Sequence, residues 1–247
     1  KTHKRGIMTA SRGCPYKCSF CSIEKYHDIY KDKGMFVRFK SVDYVIREAK
    51  AMKKRYPAIE YIHFVDDVLV TRQDWMKEFS EKWPKGIGLD FYCNVNANSI
   101  KEKTVEYLAI AGCRRFQIGV ETGNEERRRD LLKKPVKNEK ILNVAALCHK
   151  FGIVINSLNM IGLPFEKEEH ILETIKFNAK IKPHLLQCCV FYPFPNTSLY
   201  DYCVKHNLLS KDFNHYKTCD YFTSSVIHNP YLSEEALSFY RDYFKTL

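Results

Sequence analysis

No run of about 18 apolar residues occurs in the 247-residue chain, which excludes a bilayer-spanning helix. The basic start, Lys1 to Arg5, lacks the apolar stretch that would make it a secretory leader. Internal repeats and low-complexity tracts are absent as well, so nothing in these residues points to a repeat array. Acidic groups are in short supply: 29 Asp+Glu against 40 Lys+Arg leave a net charge of +11, which favours an acidic or phosphorylated partner without identifying one. The bases gather at Lys53-Lys54-Arg55, Arg114-Arg115 and Arg127-Arg128-Arg129, and the plain expectation for such clusters is a solvated helix face. Ten cysteines, two of them adjacent at Cys188 and Cys189, would mispair in an oxidising compartment; they point to a cytoplasmic protein with buried thiols or metal ligands.

What is present is alternation. Short β-rich runs at Ile7 to Ala10, Tyr61 to Val65, Asp90 to Val95, Arg115 to Val120, Ile153 to Met160 and Leu185 to Phe191 read as strands. Between them, apolar residues recur three and four apart. Val42, Val45, Ile46, Ala49 and Met52 mark one helix that Ser41 can cap. Trp75, Phe79 and Trp83 mark the next, followed by Ile100, Val105, Leu108 and Ala111. Ile141, Val144, Ala145, Cys148 and Phe151 mark another that Gly152 can end, and Ile171, Ile175 and Ala179 the one after. Parallel strands joined by helices give an open doubly wound sheet or a barrel. A dinucleotide-binding sheet would follow its first strand with a glycine-rich turn, and none is here. Residues 1–200 are expected to form one α/β domain, with 201–247 a helical or irregular extension packed on it.

The first strand leads instead into Gly13-Cys14-Pro15-Tyr16-Lys17-Cys18-Ser19-Phe20-Cys21, a CxxxCxxC motif. Such a loop can present three thiolates to one cube-shaped iron–sulfur cluster. An electron-transfer [4Fe–4S] site uses four cysteines, whereas three leave one iron open to a substrate. Structural zinc would need a fourth ligand, for which His27 is the nearby candidate. Unligated core thiols are the other reading, poorly suited to a polar Gly-Pro-Tyr-Lys loop.

Arg12-Gly13-Cys14-Pro15-Tyr16 with Phe20-Cys21 resembles the radical S-adenosylmethionine (SAM) superfamily, in the form common among members with a cobalamin-binding domain. The resemblance runs over nearly the whole chain and implies a partial TIM-type (β/α)6 barrel, a [4Fe–4S] cluster on Cys14, Cys18 and Cys21, and bound SAM. It implies further that Phe20 packs near the adenine, with loop packing as the alternative. At the C-terminal ends of strands, where barrel sites lie, Asp66 and Asp67 resemble the segment that approaches the methionyl amino group or the substrate; capping the next helix is the other reading. Asn94 and Asn96 follow the third strand, where many relatives have arginine at the position of Asn96, so a neutral turn role stands beside a cofactor contact. Gly119-Val120-Glu121-Thr122-Gly123 is similar to G-[IV]-E-[ST]-G, whose glutamate lies close to SAM; a salt bridge with a nearby arginine is the alternative for Glu121. Asn156 and Met160-Ile161-Gly162-Leu163-Pro164-Phe165-Glu166 resemble M-I-G-L-P-G-E with Phe165 for glycine. Tyr192-Pro193-Phe194-Pro195-Asn196-Thr197 resembles P-x-P-G-T with Asn196 for glycine, and Tyr192 is a further cofactor candidate.

None of the other seven cysteines has auxiliary-cluster spacing; Cys93, Cys113, Cys148 and Cys188 read as core, while Cys189, Cys203 and Cys219 are harder to place and are the candidates for a second radical-bearing or methyl-carrying thiol. The function implied by the resemblance is reductive cleavage of SAM to a 5′-deoxyadenosyl radical that abstracts hydrogen, for methylation or rearrangement of a small-molecule, lipid or peptide substrate, an anionic one in keeping with the charge. Cobalamin would come through a domain outside this chain, and electrons from a donor such as flavodoxin or ferredoxin. Two rivals are an RNA-modifying, methylthiolating enzyme, which would use the basic surface on nucleic acid, and a non-enzymatic iron–sulfur electron carrier.

Overall fold

The structure, a computed structural model, describes residues 4–211, 213, 224–244 and 246. Cys219 and Lys1 to His3 lie outside the described residues. Among these residues no helix is long and apolar enough to cross a membrane.

A six-stranded parallel sheet follows the chain in order. Its strands are β1 (Arg5–Met8), β4 (Tyr61–Phe64), β5 (Asp90–Val95), β6 (Cys113–Glu121), β7 (Val154–Ile161) and β8 (Leu185–Val190). Helices fill the crossovers: α2 (Val42–Arg55), α3 (Gln73–Gly86), α4 (Glu102–Ile110), α5 (Glu125–Asp130) with α6 (Asn138–Lys150), and α7 (Glu168–Ile181). This is the connectivity of a (β/α)6 unit, as the alternation predicts. The first strand begins at Arg5 rather than Ile7. The other boundaries fall within two residues of expectation. Two features carry no periodic signal in the sequence: the two-residue ribbon of β2 (Ser11–Arg12) with β3 (Arg38–Phe39), and α1 (Ile23–Ile29). After β8 come α8 (Ser198–Lys205) and α9 (Glu234–Tyr243).

The chain resolves into two compact units that exchange segments. The division is not legible as a linker, because β6 and β7 each run from one unit into the other. The first comprises Lys1–Pro15, Met35–Ile118 and Lys140–Asn156. Its core forms where Ile62, Phe64, Phe91, Cys93, Phe116 and Ile118, on alternate strand positions, are buried. Across from them Trp75, Phe79 and Trp83 stack along α3 at 4.8 and 4.9 Å, with Phe64 edge-on to Phe79 at 5.9 Å. Truncating Phe79 would cost about 3–5 kcal/mol. Ser41 caps α2 as expected, its Oγ accepting from Tyr44 N at 3.3 Å.

The second unit comprises Tyr16–Gly34, Gly119–Glu139 and Ser157–Leu247. Leu163, Phe191, Leu199, Cys203 and Ile227 form one cluster, and Ile161, Ile171, Val190, Leu237 and Phe244 another, so α9 packs within this unit. The Arg127-Arg128-Arg129 cluster departs from a solvated face at Arg128, while Arg129 stays exposed. Arg128 is fully buried, and its guanidinium donates to the carbonyls of Val120, Thr122 and Val136 and to Asn138 Oδ1. Composition cannot reveal such a cage of carbonyls. Burial pushes the guanidinium down to about 10, so it stays charged at neutral pH.

Candidate active site

The cysteine motif follows β1 and β2, and the first unit holds its approach in place. Asp66, just past the end of β4, is buried and turns its carboxylate back toward β1. Both oxygens accept from Ala10 N at 3.1 Å, and Oδ1 also takes Ser11 N and, at 2.5 Å, the Ser11 hydroxyl. Burial pushes the Asp66 carboxyl up, against the lowering effect of these donors. Asp67 Oδ2 accepts from Gly13 N at 3.2 Å. The helix-capping reading of this acidic pair is therefore replaced, since α3 starts later, with Arg72 before its first residue. Gly13 has φ +88°, and a Cβ there would collide with the carbonyl oxygen of Phe36. Only glycine fits this turn. Cys14, which follows it, is buried.

Cys18 and Cys21 belong to the second unit, whose boundary with the first falls between Pro15 and Tyr16. Here the loop is fastened through Ser19. Its N and Oγ donate to the carbonyls of Leu132 and Leu131 at 3.0 and 2.6 Å, and its own carbonyl accepts from Leu199 N at 2.8 Å. Cys21 N donates to Cys18 O at 3.0 Å, closing the turn that leads into α1. Phe20 is half-buried and packs against the Leu132–Phe191–Leu199 cluster.

Among the described residues no three His, Cys, Asp or Glu side chains are gathered for a single metal ion. In a four-iron cube each thiolate binds a different iron, so the demand on the loop is different. Three thiols on one loop, none of them in a disulfide, fit that group as a donor set.

Further polar groups stand on alternate strand positions. Asn94 donates to Asp66 O at 3.0 Å and accepts from Gln117 Nε2 at 2.7 Å. Gln117 also meets His63 Nε2 at 3.0 Å and accepts from Asn156 Nδ2 at 3.4 Å. The structure thus brings Asn94 and Asn156 to one glutamine that sequence reasoning missed, because no motif surrounds it. Asn96 caps a short 3-10 turn, Ala97–Ser99, its Oδ1 accepting from Asn98 N at 3.0 Å, which is the turn role.

In the second unit Glu121 has φ +65° and forms a buried pair with Lys134 Nζ at 2.7 Å, where an arginine was the expected alternative partner. Lys134 also donates to Gly119 O at 2.7 Å. Any side chain at Gly119 would strike Glu121 Oε1 and Lys134 Nζ. Phe165 keeps the left-handed turn that glycine would make, with φ +56°, and Asn196 does likewise with φ +66°. Tyr192 is buried, its ring 5.1 Å from Phe194. Cys93, Cys113, Cys148 and Cys203 are core residues, and burial pushes Cys148 and Cys203 up to about 12, which makes them poor nucleophiles. Cys188 and Cys189 are half-buried on β8.

Comparison with known proteins bears on this arrangement. The chain is 28% identical over 243 residues to an uncharacterized methyltransferase of Pyrococcus horikoshii, covering 95% of this chain and 51% of that protein. It is 24% identical over 241 residues to the bacteriochlorophyllide d C-12(1)-methyltransferase of Chlorobaculum tepidum, covering 96% and 51%. The chain thus spans about half the length of the curated relatives it matches. Among solved structures, the radical S-adenosylmethionine methyltransferase TsrM of Kitasatospora setae, with tryptophan and a SAM analogue bound, superposes with a TM-score of 0.70 at 17% identity, over 85% of this chain and 42% of that one. That likeness establishes the fold as a partial TIM-type barrel. The sequence model of the Radical SAM superfamily matches residues 8–177, from β1 into α7, and on that match the chain belongs to the radical SAM superfamily.

Proposed function

We propose that the chain is the catalytic barrel of a radical SAM enzyme in which Cys14, Cys18 and Cys21 each bind one iron of a [4Fe–4S] cluster and SAM occupies the fourth. The observation that carries this reading is the CxxxCxxC loop after β1, fastened by Asp66 and Asp67 before it and by Ser19 within it. When bound, cluster and SAM together supply a one-electron cleavage that yields a 5′-deoxyadenosyl radical able to take hydrogen from an unactivated carbon. The protein's own part is position and the exclusion of water. Asp66 fixes the backbone that leads to Cys14. Lys134 holds Glu121 Oε1, leaving Oε2 to accept from the amino or ribose hydroxyl groups of SAM. Phe20 and Tyr192 supply apolar cover, and Asn94 and Asn156 polar contacts.

The finer reading is methylation or rearrangement of a small-molecule, lipid or peptide substrate, with cobalamin held by a domain outside these residues and electrons from a flavodoxin- or ferredoxin-like donor. Its support is the methyltransferase names of the relatives, together with a fold likeness to the cobalamin-dependent enzyme OxsB at a TM-score of 0.69. We also keep residues 1–200 as the barrel and 201–247 as its extension, a reading favoured by the packing of Leu237 and Phe244 against Ile161 and Ile171. A direct test is electron paramagnetic resonance of the reduced, reconstituted protein. Addition of SAM should change the cluster signal, and an unchanged signal would contradict an open iron.

A further inference from the structure

On the first unit, the sheet face opposite α2 and α3 presents cations and rings. Strand register sets Arg5 beside Tyr61, His63 beside Tyr92 and Tyr92 beside Arg115. A register shift between Phe91 and Tyr92 decides which arginine arrives there. Arg114 is left exposed and pairs with Asp90 at 3.0 Å, while Arg115 swings its guanidinium over the Tyr92 ring, 4.9 Å from the centroid. Tyr61 and His63 lie 4.9 and 5.0 Å from that same ring.

The charge here is unbalanced. Arg115 Nε is buried and meets no hydrogen-bond partner, and neither Arg5 nor Arg115 has an ion pair among the described residues. Asp90, the acid at the head of β5, is already engaged by Arg114. Burial first, and then the like charges of Arg5 and Arg115, push the His63 pKa down. Burial and the Tyr61 hydroxyl push Tyr92 up to about 12, so its hydroxyl keeps its proton as a donor. Arg5 is exposed and Arg115 half-buried; the buried Nε–H of Arg115 is unfavourable unless it meets an acceptor, and a cation–π contact supplies only part of that.

We propose that this face, at Arg5, Arg115, Tyr61 and Tyr92, seats the oxyanion of a planar organic substrate: a carboxylate or phosphate group on an aromatic or conjugated body. The guanidinium forks grip the oxyanion, and the rings stack on the body. The inference rests on the proposed function in that the substrate lies along the strands whose C-terminal ends carry Asn94 and the turn held by Asp66. Two possible sources of the anion, carboxylate and phosphate, share this chemistry.

The test titrates three probes into the full chain, following the Arg115 Nε–Hε resonance by nuclear magnetic resonance: 1-naphthoate, 1-naphthyl phosphate and the neutral 1-naphthalenemethanol. One or both anions should move the resonance and bind roughly tenfold tighter than the alcohol, and the tighter one identifies the group. Arg5→Gln and Arg115→Gln should bring the anion toward the affinity of the alcohol, with Arg115→Lys intermediate, since it keeps charge without the fork. Anions no tighter than the alcohol, or an unmoved resonance in the unsubstituted chain, would overturn the proposal. The titration needs neither cluster nor SAM cleavage, so its failure and failure of the radical reading are separate results.

Discussion

Asp66 reaches back from the end of β4 to Ser11, taking its hydroxyl at 2.5 Å and its backbone N–H on the same oxygen, three residues before the first cysteine. The acidic residue after the second sheet strand thus acts on the loop after the first. Asp66→Ala leaves buried donors on Ala10 and Ser11 without acceptors and should destabilise the chain by about 2–4 kcal/mol. Ser11→Ala should cost only about 1 kcal/mol. Urea unfolding checks both, and the Asp66→Ala variant should also retain less iron after reconstitution. A loss below about 0.5 kcal/mol for Asp66→Ala would contradict the assigned role.

Glu121 and Lys134 form a pair that is hard to break from one side. Lys134→Met leaves a buried carboxylate without its cation and should cost about 3–5 kcal/mol. Combining it with Glu121→Gln removes both charges, so the double variant should be more stable than Lys134→Met alone. Additive losses in that cycle would contradict a coupled pair.

Arg128 should behave as core. Arg128→Met leaves the carbonyls of Val120, Thr122 and Val136 without their donor, and about 3–5 kcal/mol should be lost. Arg128→Lys keeps the charge but cannot span these acceptors, so thermal unfolding should show most of the same loss. Recovery to wild-type stability in the lysine variant would count against the carbonyl cage.

Glu166 gives the fold a dependence on pH. Its carboxyl accepts from Gly162 N and Leu163 N, and burial pushes it from an ordinary 4.5 up to about 7, against the lowering pull of Arg127. The folded chain therefore holds this proton more tightly than the unfolded chain does. Its contribution is full below about pH 4.5 and is lost as pH rises through about 7, amounting to roughly 3 kcal/mol. Denaturant titrations at pH 5 and pH 8 should show the wild type losing about that much more than Glu166→Gln. Equal losses would contradict the assignment.

Much of the scaffold was legible because its signals repeat. The strand at Asp90–Val95 and the helix capped by Ser41 announce themselves through periodicity and a local side-chain bond. The cysteine loop was legible through spacing. Contacts between residues distant in sequence were not. Nothing near Ser19 marks it as the fastening of the loop to Leu131 and Leu132, 112 residues away for its hydroxyl bond. Gln117 joins Asn94, His63 and Asn156 only because strand register aligns them. Arg128 looks solvated in a basic triplet, since its burial depends on carbonyls supplied by the chain on either side. The β2–β3 ribbon, two residues per strand, is too short to show alternation.

The central claim is that three thiolates of this chain leave an iron open to SAM. Anaerobically reconstituted and reduced with dithionite, the protein should release 5′-deoxyadenosine and methionine from SAM in equal amounts, and Cys14→Ala, Cys18→Ala and Cys21→Ala should each abolish release. No release from a wild-type preparation with its cluster verified by spectroscopy, or release undiminished in the three variants, would contradict the account.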